Sequence, residues 1–137
     1  MTSGREEAGP GRGGPVVRRL LKALAAADEA GVAAELDSAV EAVGRRGPMR
    51  GISEVVAWAK PSRDGHLISS VEVDELREMG TEWVAVEARR VWRWAVTGDV
   101  GDEESFGVLF RVREGKVVSW DQTYGSLADA IDGIPAT

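Results

Sequence analysis

Acid–base or binding chemistry needs reactive side chains brought close together, and the candidates in this chain are few. Glu72 and Asp74 stand two residues apart in a β-like run, so in a strand both carboxylates share one face. Such a pair does acid–base work when burial drives its pKa values apart; on a wetted face, with Val71 and Val73 turned inward, it is only surface charge. Asp121 stands beside Gln122 in a second run, and Arg90 precedes Trp92 and Trp94 in a third. By strand alternation Arg90, Trp92 and Trp94 share a face, as do Trp120, Gln122 and Tyr124. Together they would line an apolar pocket with a few polar anchors, the usual build of a small-molecule site. The same indoles would equally fill a core. Trp58 reads as core bordering that pocket, and Trp83 as core. Arg89 and Arg93 fall opposite Arg90 and suit a polar outer surface with Glu87.

Other chemistries are excluded by what is missing. There is no cysteine, which removes disulfides, thiolate nucleophiles and zinc–thiolate sites together. The single histidine, His66, rules out a two-histidine metal site and reads as a surface residue in a turn-rich segment. No metal or other cofactor is expected. Seventeen Lys and Arg against twenty-three Asp and Glu leave a net charge of −6, the wrong balance for a protein that neutralises nucleic-acid phosphates. The Gly-rich start follows no strand and lacks phosphate-loop spacing. The Gly44–Gly47 turn with Arg45 and Arg46 reads as a solvated loop rather than an anion site. Neither a signal-peptide core nor a membrane-length apolar run is visible, so the expected location is the cytoplasm.

The elements that must position these residues follow from periodicity. A chain of 137 residues suits one domain. Residues 1–14 read as a flexible Gly/Pro-rich tail and 15–137 as the single domain. Val17, Leu20, Leu21 and Leu24 recur at helical spacing, with Gly31 as a stop. Val32, Leu36, Val40 and Val43 predict a second helix to about Ala42, and Gly44 to Pro48 break it. A third helix, capped by Gly51 or Ser53, runs to Lys60. The period then changes from 3.6 to 2. Strands are expected over 71–76, 82–96, 106–112 and 117–124, with a hairpin turn at Glu114–Gly115 and a last helix over 126–131. Helices followed by an antiparallel meander give an α+β fold, one curved sheet with helices on one face.

Four stretches carry a resemblance: ALAAADEAGVAAELDSAV (23–40), MRGISEVVAWA (49–59), VDELREMGTEWVAV (73–86) and FGVLFRVREGKVVSWDQTYGSLADAI (106–131). They resemble the SnoaL-like branch of the nuclear transport factor 2-like superfamily over about residues 16–132. The resemblance implies a cone-shaped α+β barrel around an apolar pocket, and frequent homodimers through the outer sheet face. The implied partner is an apolar small molecule, polyketide- or terpenoid-like, with no nucleic acid and no membrane. The family's known reactions are cofactor-free isomerisations, cyclisations, dehydrations and epoxide openings.

The family's catalytic positions are not matched in this chain. The aspartate base of ketosteroid isomerase-like members falls at Ala42–Val43. The Arg and Asp of the epoxide hydrolases fall at Ala88 and Arg90, and their last-strand Asp, like that of the cyclases, falls at Gln122. The run from Lys116 to Tyr124 is one residue longer than the family spacing, so a bulge there would re-aim Asp121 inward. If the protein is an enzyme, Asp121 or Asp74 is the expected acid–base group, with Arg90 and Tyr124 stabilising charge on oxygen. The alternative is a non-catalytic dimerisation or ligand-sensing module.

Overall fold

The computed structural model describes residues 13–44, 47–59 and 62–135. Two helices, α1 (Gly13–Ala25) and α2 (Glu29–Glu35), lead into β1 (Leu36–Gly44). A two-residue strand, β2 (Gly47–Pro48), and helix α3 (Gly51–Ala59) follow. The remaining elements are β3 (Ser62–Asp64), β4 (Leu67–Met79), β5 (Trp83–Trp94), β6 (Val100–Arg113), β7 (Lys116–Tyr124) and the short helix α4 (Leu127–Asp132). The strands form one curled sheet of seven, ordered β2-β1-β7-β6-β5-β4-β3. Every pairing is antiparallel except β1 with β7, which is parallel.

The inner face of the sheet carries the main core. Val84, Val86, Ala88, Phe106, Val108 and Phe110 alternate inward along β5 and β6 and meet Val17, Leu20 and Leu24 of α1, all three fully buried. Each such aliphatic side chain contributes about 1.5–3 kcal/mol when removed from water. Gly13 and Gly14, expected in the tail, instead form the buried first turn of α1. Their lack of a side chain lets the helix end approach the sheet: a Cβ on Gly13 would lie 2.9 Å from the Val84 methyl, and one on Gly14 would overlap the Glu78 carboxylate. That carboxylate accepts a hydrogen bond from the Gly14 N–H at 2.8 Å, so β4 caps the helix from 64 residues away. Residues 1–12, the rest of the expected tail, lie outside the described residues, as do Arg45 and Arg46 of the expected loop.

A smaller cluster occupies the outer face. Ala85 and Leu109 pack against Leu127 and Ala130 of α4, flanked by Trp83, Tyr124, Ile131 and Ile134. Gly107 lets this helix approach, because a Cβ there would overlap the Ser126 carbonyl well inside 3.0 Å. Ser126 caps α4 by accepting from the Asp129 N–H at 3.1 Å, and the Glu87 carboxylate accepts from the Leu127 N–H at 2.7 Å.

The α+β class and curved sheet agree with the sequence reading, and three elements differ. The expected helix from Val32 to Ala42 is a helix only to Glu35, and Gly31 lies inside α2 rather than ending it. Leu36 and Val40 are four residues apart, a spacing that holds one face in a strand as well as in a helix, so periodicity did not separate the two. Strand β4 begins at Leu67, not Val71, and β6 begins at Val100, not Phe106.

Candidate functional site

An open cleft of about 560 Å3 lies where the inner face of the sheet meets α3 and the paired ends of β1 and β2. Gly44, Met49, Glu54, Trp58, Arg90, Trp92, Glu104 and Gln122 contribute to its lining. Four of the expected pocket residues, Trp58, Arg90, Trp92 and Gln122, therefore meet there. Trp120 lies behind them, 1% exposed, with its ring edge-on to Trp58 at 4.9 Å and tilted against Phe110 at 5.3 Å. Phe106 adds a further edge contact to Trp58 at 6.1 Å. Aromatic rings thus fill the depth of the cone, and the cleft is its mouth.

Each wall has a local cause. Pairing in β5–β6 sets Arg90 opposite Glu104 and Trp92 opposite Asp102, all on the inner face. The Arg90 guanidinium donates to the Trp58 carbonyl at 2.7 Å, in the last turn of α3, where unpaired carbonyls and the helix dipole favour a cation. Glu54 sits one helical turn before Trp58 and accepts from the Arg50 N–H at 2.8 Å. Gln122 is 6% exposed and Trp58 8% exposed, and neither the Gln122 Oε1 nor the Trp58 Nε1 has a hydrogen-bond partner; the Trp120 Nε1 is likewise unpaired. Buried polar atoms are normally satisfied, and these three are exceptions, closed off within the packed interior.

Glu104 and Glu54 were not singled out in the sequence. Glu104 shares a face with Phe106 by simple alternation, but the acidic run Asp102–Glu103–Glu104 reads as loop and hides the strand. Trp94 is 47% exposed and does not line the cleft. Tyr124 is on the outer face, against the expectation of a shared inner face with Trp120 and Gln122. Between the pairs Leu109–Asp121 and Gly107–Tyr124, β6 advances two residues and β7 three, so the extra residue turns Tyr124 outward. Burial, and then the nearby Asp121 charge, raise its phenol pKa above the ordinary value.

The expected bulge is therefore present, but it re-aims Tyr124 and leaves Asp121 outside. Asp121 pairs with the outward Leu109, and its carboxylate accepts from the Thr123 N–H at 2.9 Å and the Thr123 hydroxyl at 2.6 Å. Asp74 is also outward, at a register shift in β4; Val73 beside it pairs with the inward Ala88 on the inner face, as expected, though it is 42% exposed. Its carboxylate is gripped at both oxygens by Arg89, at 2.7 and 2.9 Å. Arg89 further bonds Glu103 at 2.6 Å, and Arg93 bonds Glu72, forming one charged network on the outer face. Asp74 first and Glu103 second raise the Arg89 pKa.

A second charged clamp lies on the outer rim. Glu82 accepts two bonds from Arg111 at 3.0 Å and one from Arg113 at 2.9 Å, and these hold its carboxyl at about 2 rather than 4.5. The Arg111 guanidinium also lies 4.9 Å from the centre of the Trp83 ring. His66 is exposed. Among the described residues no group of three or more His, Cys, Asp or Glu could hold a metal ion, and no helix is long and apolar enough to cross a membrane.

No family model matches the chain, and no curated protein does. Solved structures do. A nuclear transport factor 2-like protein of unknown function from Burkholderia pseudomallei is 23% identical with a TM-score of 0.60, covering 92% of this chain and 99% of its own. A proposed polyketide cyclase from Sinorhizobium meliloti is 13% identical with a TM-score of 0.59, over 79% of this chain and 93% of its own. A protein from Catenulispora acidiphila with a ketosteroid isomerase-like fold, solved with trimethylamine, is 16% identical with a TM-score of 0.56, over 88% and 97%. With the N-terminal helices on the inner face of a curled seven-stranded sheet, a short C-terminal helix on the outer face and these structural neighbours, the chain has the nuclear transport factor 2-like fold that its sequence resembles.

Proposed function

We propose that the protein binds a small, largely apolar organic molecule in the cleft walled by Trp58, Arg90, Trp92 and Gln122. The observation that carries this reading is the open cleft itself, in which Arg90, Glu104 and Gln122 set polar groups beside the indoles of Trp58 and Trp92. The volume of about 560 Å3 falls within the range of about 300–1,000 Å3 usual for such sites. Gly44 provides the test. A Cβ on this residue meets only ordinary van der Waals neighbours, Met49 at 3.4 Å and Gln122 at 3.5 Å, so Gly44→Val narrows the cleft without a backbone clash. Aromatic and terpenoid probes should quench tryptophan fluorescence saturably and raise Tm in the native protein, and should do neither in a folded Gly44→Val variant. Equal binding by both proteins would refute the assignment.

A second reading, cofactor-free acid–base catalysis, rests on Glu104. It is the carboxylate set opposite Arg90 in the cleft, a proton acceptor beside a group able to stabilise charge on oxygen. Glu104→Gln would then abolish turnover of a bound enone or epoxide while leaving its affinity nearly unchanged; unchanged turnover would favour a non-catalytic binding or sensing module. For assembly, the family resemblance supports a homodimer through the outer face, with the Arg89 network at the contact. Light scattering of native and Arg89→Ala protein tests it, and a monomeric native mass would exclude it.

A further inference from the structure

We infer that the ligand of this cleft carries an unbranched aliphatic tail, received in a second cavity on the far side of Met49. This rests on the binding reading above and narrows it to ring compounds with an alkyl chain. The second cavity, of about 280 Å3, lies between α2, β1 and α3. Its cause is the register of β1. Between the pairs Leu36–Val117 and Glu41–Ser119, β1 advances five residues and β7 two, so β1 arches away from its neighbour. Leu36, Val40 and Ala42 line the cavity from β1, and Ile52 and Val55 line it from α3.

The two cavities share one side chain. Helix α3 turns Glu54 and Trp58 to the cleft and Ile52 and Val55 to the second cavity, and Met49, just before its first turn, lines both. The Met49 N–H donates to the Ala42 carbonyl at 2.8 Å, which fixes its backbone. Its half-buried side chain is unbranched and bends at three bonds, so it can lie against a chain passing from one cavity to the other. A tail kept in the cleft would lie against Glu54, Arg90 and Glu104 and strip water from charged groups. The second cavity has polar side chains only at Asp37 and Ser38 among the described residues, and the Asp37 carboxylate is engaged by the Ala39 N–H at 2.9 Å. An alkyl chain is therefore more stable in the second cavity than in the cleft.

The test compares 4-ethylphenol, 4-butylphenol and 4-hexylphenol by calorimetry on the full chain. Each methylene moved from water into an apolar cavity strengthens binding about fourfold, so the native protein should hold the hexyl compound about thirtyfold or more tightly than the ethyl compound. Ala33→Phe adds a ring to the second cavity from an exposed position on α2. It should cut that ratio to about threefold and leave the affinity for 4-ethylphenol within about twofold. Val40→Phe fills the same space from β1, so the comparison does not depend on one variant folding. A native ratio near one would overturn the inference and leave the cleft reading intact. A ratio that stays near its native value in either folded variant would place the tail elsewhere and overturn it as well. If none of the three phenols binds the native protein, the cleft reading itself falls, and the inference with it.

Discussion

Replacing Gly107 by alanine isolates the attachment of α4 to the sheet. The new methyl would overlap the Ser126 carbonyl, a backbone atom that moves only if the start of α4 moves with it. Lifting that turn breaks the bond from the Leu127 N–H to the Glu87 carboxylate, 2.7 Å long and charge-assisted, worth about 1.5–3 kcal/mol. It also weakens the Ser126 cap on Asp129, worth about 1 kcal/mol. Against these, alanine restricts the unfolded chain and returns about 0.4–1 kcal/mol. The expected net loss is about 2–3 kcal/mol. Gly115→Ala is the control: its φ of +78° strains any L-residue, yet nothing lies within 4 Å of the added carbon. Its cost should be nearer 1 kcal/mol, the left-handed penalty less the same entropy return. Urea unfolding of both variants, with m held equal, measures the difference. A Gly107→Ala loss under about 0.5 kcal/mol, or one equal to that of Gly115→Ala, would refute the argument that contact rather than conformation selects glycine there.

Other perturbations probe the remaining contacts. Glu82→Gln should lose about 1 kcal/mol at pH 7, the scale of a half-exposed ion pair. Because the native carboxyl is held near 2 against 4.5, that contribution is complete above about pH 4.5 and disappears as pH falls through 2. Urea midpoints of native and variant should therefore converge on acidification, and a constant gap would contradict the clamp. Glu78→Gln should lower stability by about 1 kcal/mol through the weakened helix cap, and the loss should shrink in high salt. Asp121→Asn should leave affinity for the aromatic probes within about twofold, since its side chain is on the outer face; lost binding would relocate the site.

The paired strands β5, β6 and β7 were legible because tryptophan and valine alternate with polar residues over long runs. Local pattern also placed Arg90, Trp92 and Gln122 on faces that meet in the cleft. What sequence spacing could not show was anything set by a partner strand. Tyr124 changes face because β7 carries one residue more than β6 across their pairing, a count that belongs to neither strand alone. Asp74 is at a similar shift between β4 and β5. Glu104 was hidden because three successive acids look like a solvated loop, yet β5 brings Arg89, Arg90 and Arg93 alongside that end of β6. The buried glycines of α1 resemble tail for the same reason: the space they leave is occupied by residues some 60–100 positions away, Glu78, Val84 and Val112.

The parallel pairing of β1 with β7 sets the order in which the molecule can be completed. Leu36 lies opposite Val117, and the strand on the other side of β1 has only two residues. During synthesis from the N-terminus, β1 has no lasting neighbour until the eighth decade of residues after it has been made, and the β6 edge waits for the same strand. A nascent chain halted within β6 therefore carries two open sheet edges, the condition under which chains pair with one another instead of with themselves. The late arrival of β7 makes its synthesis the step that closes the sheet, and nonsense truncations anywhere before Val117 should yield insoluble product rather than a smaller folded domain.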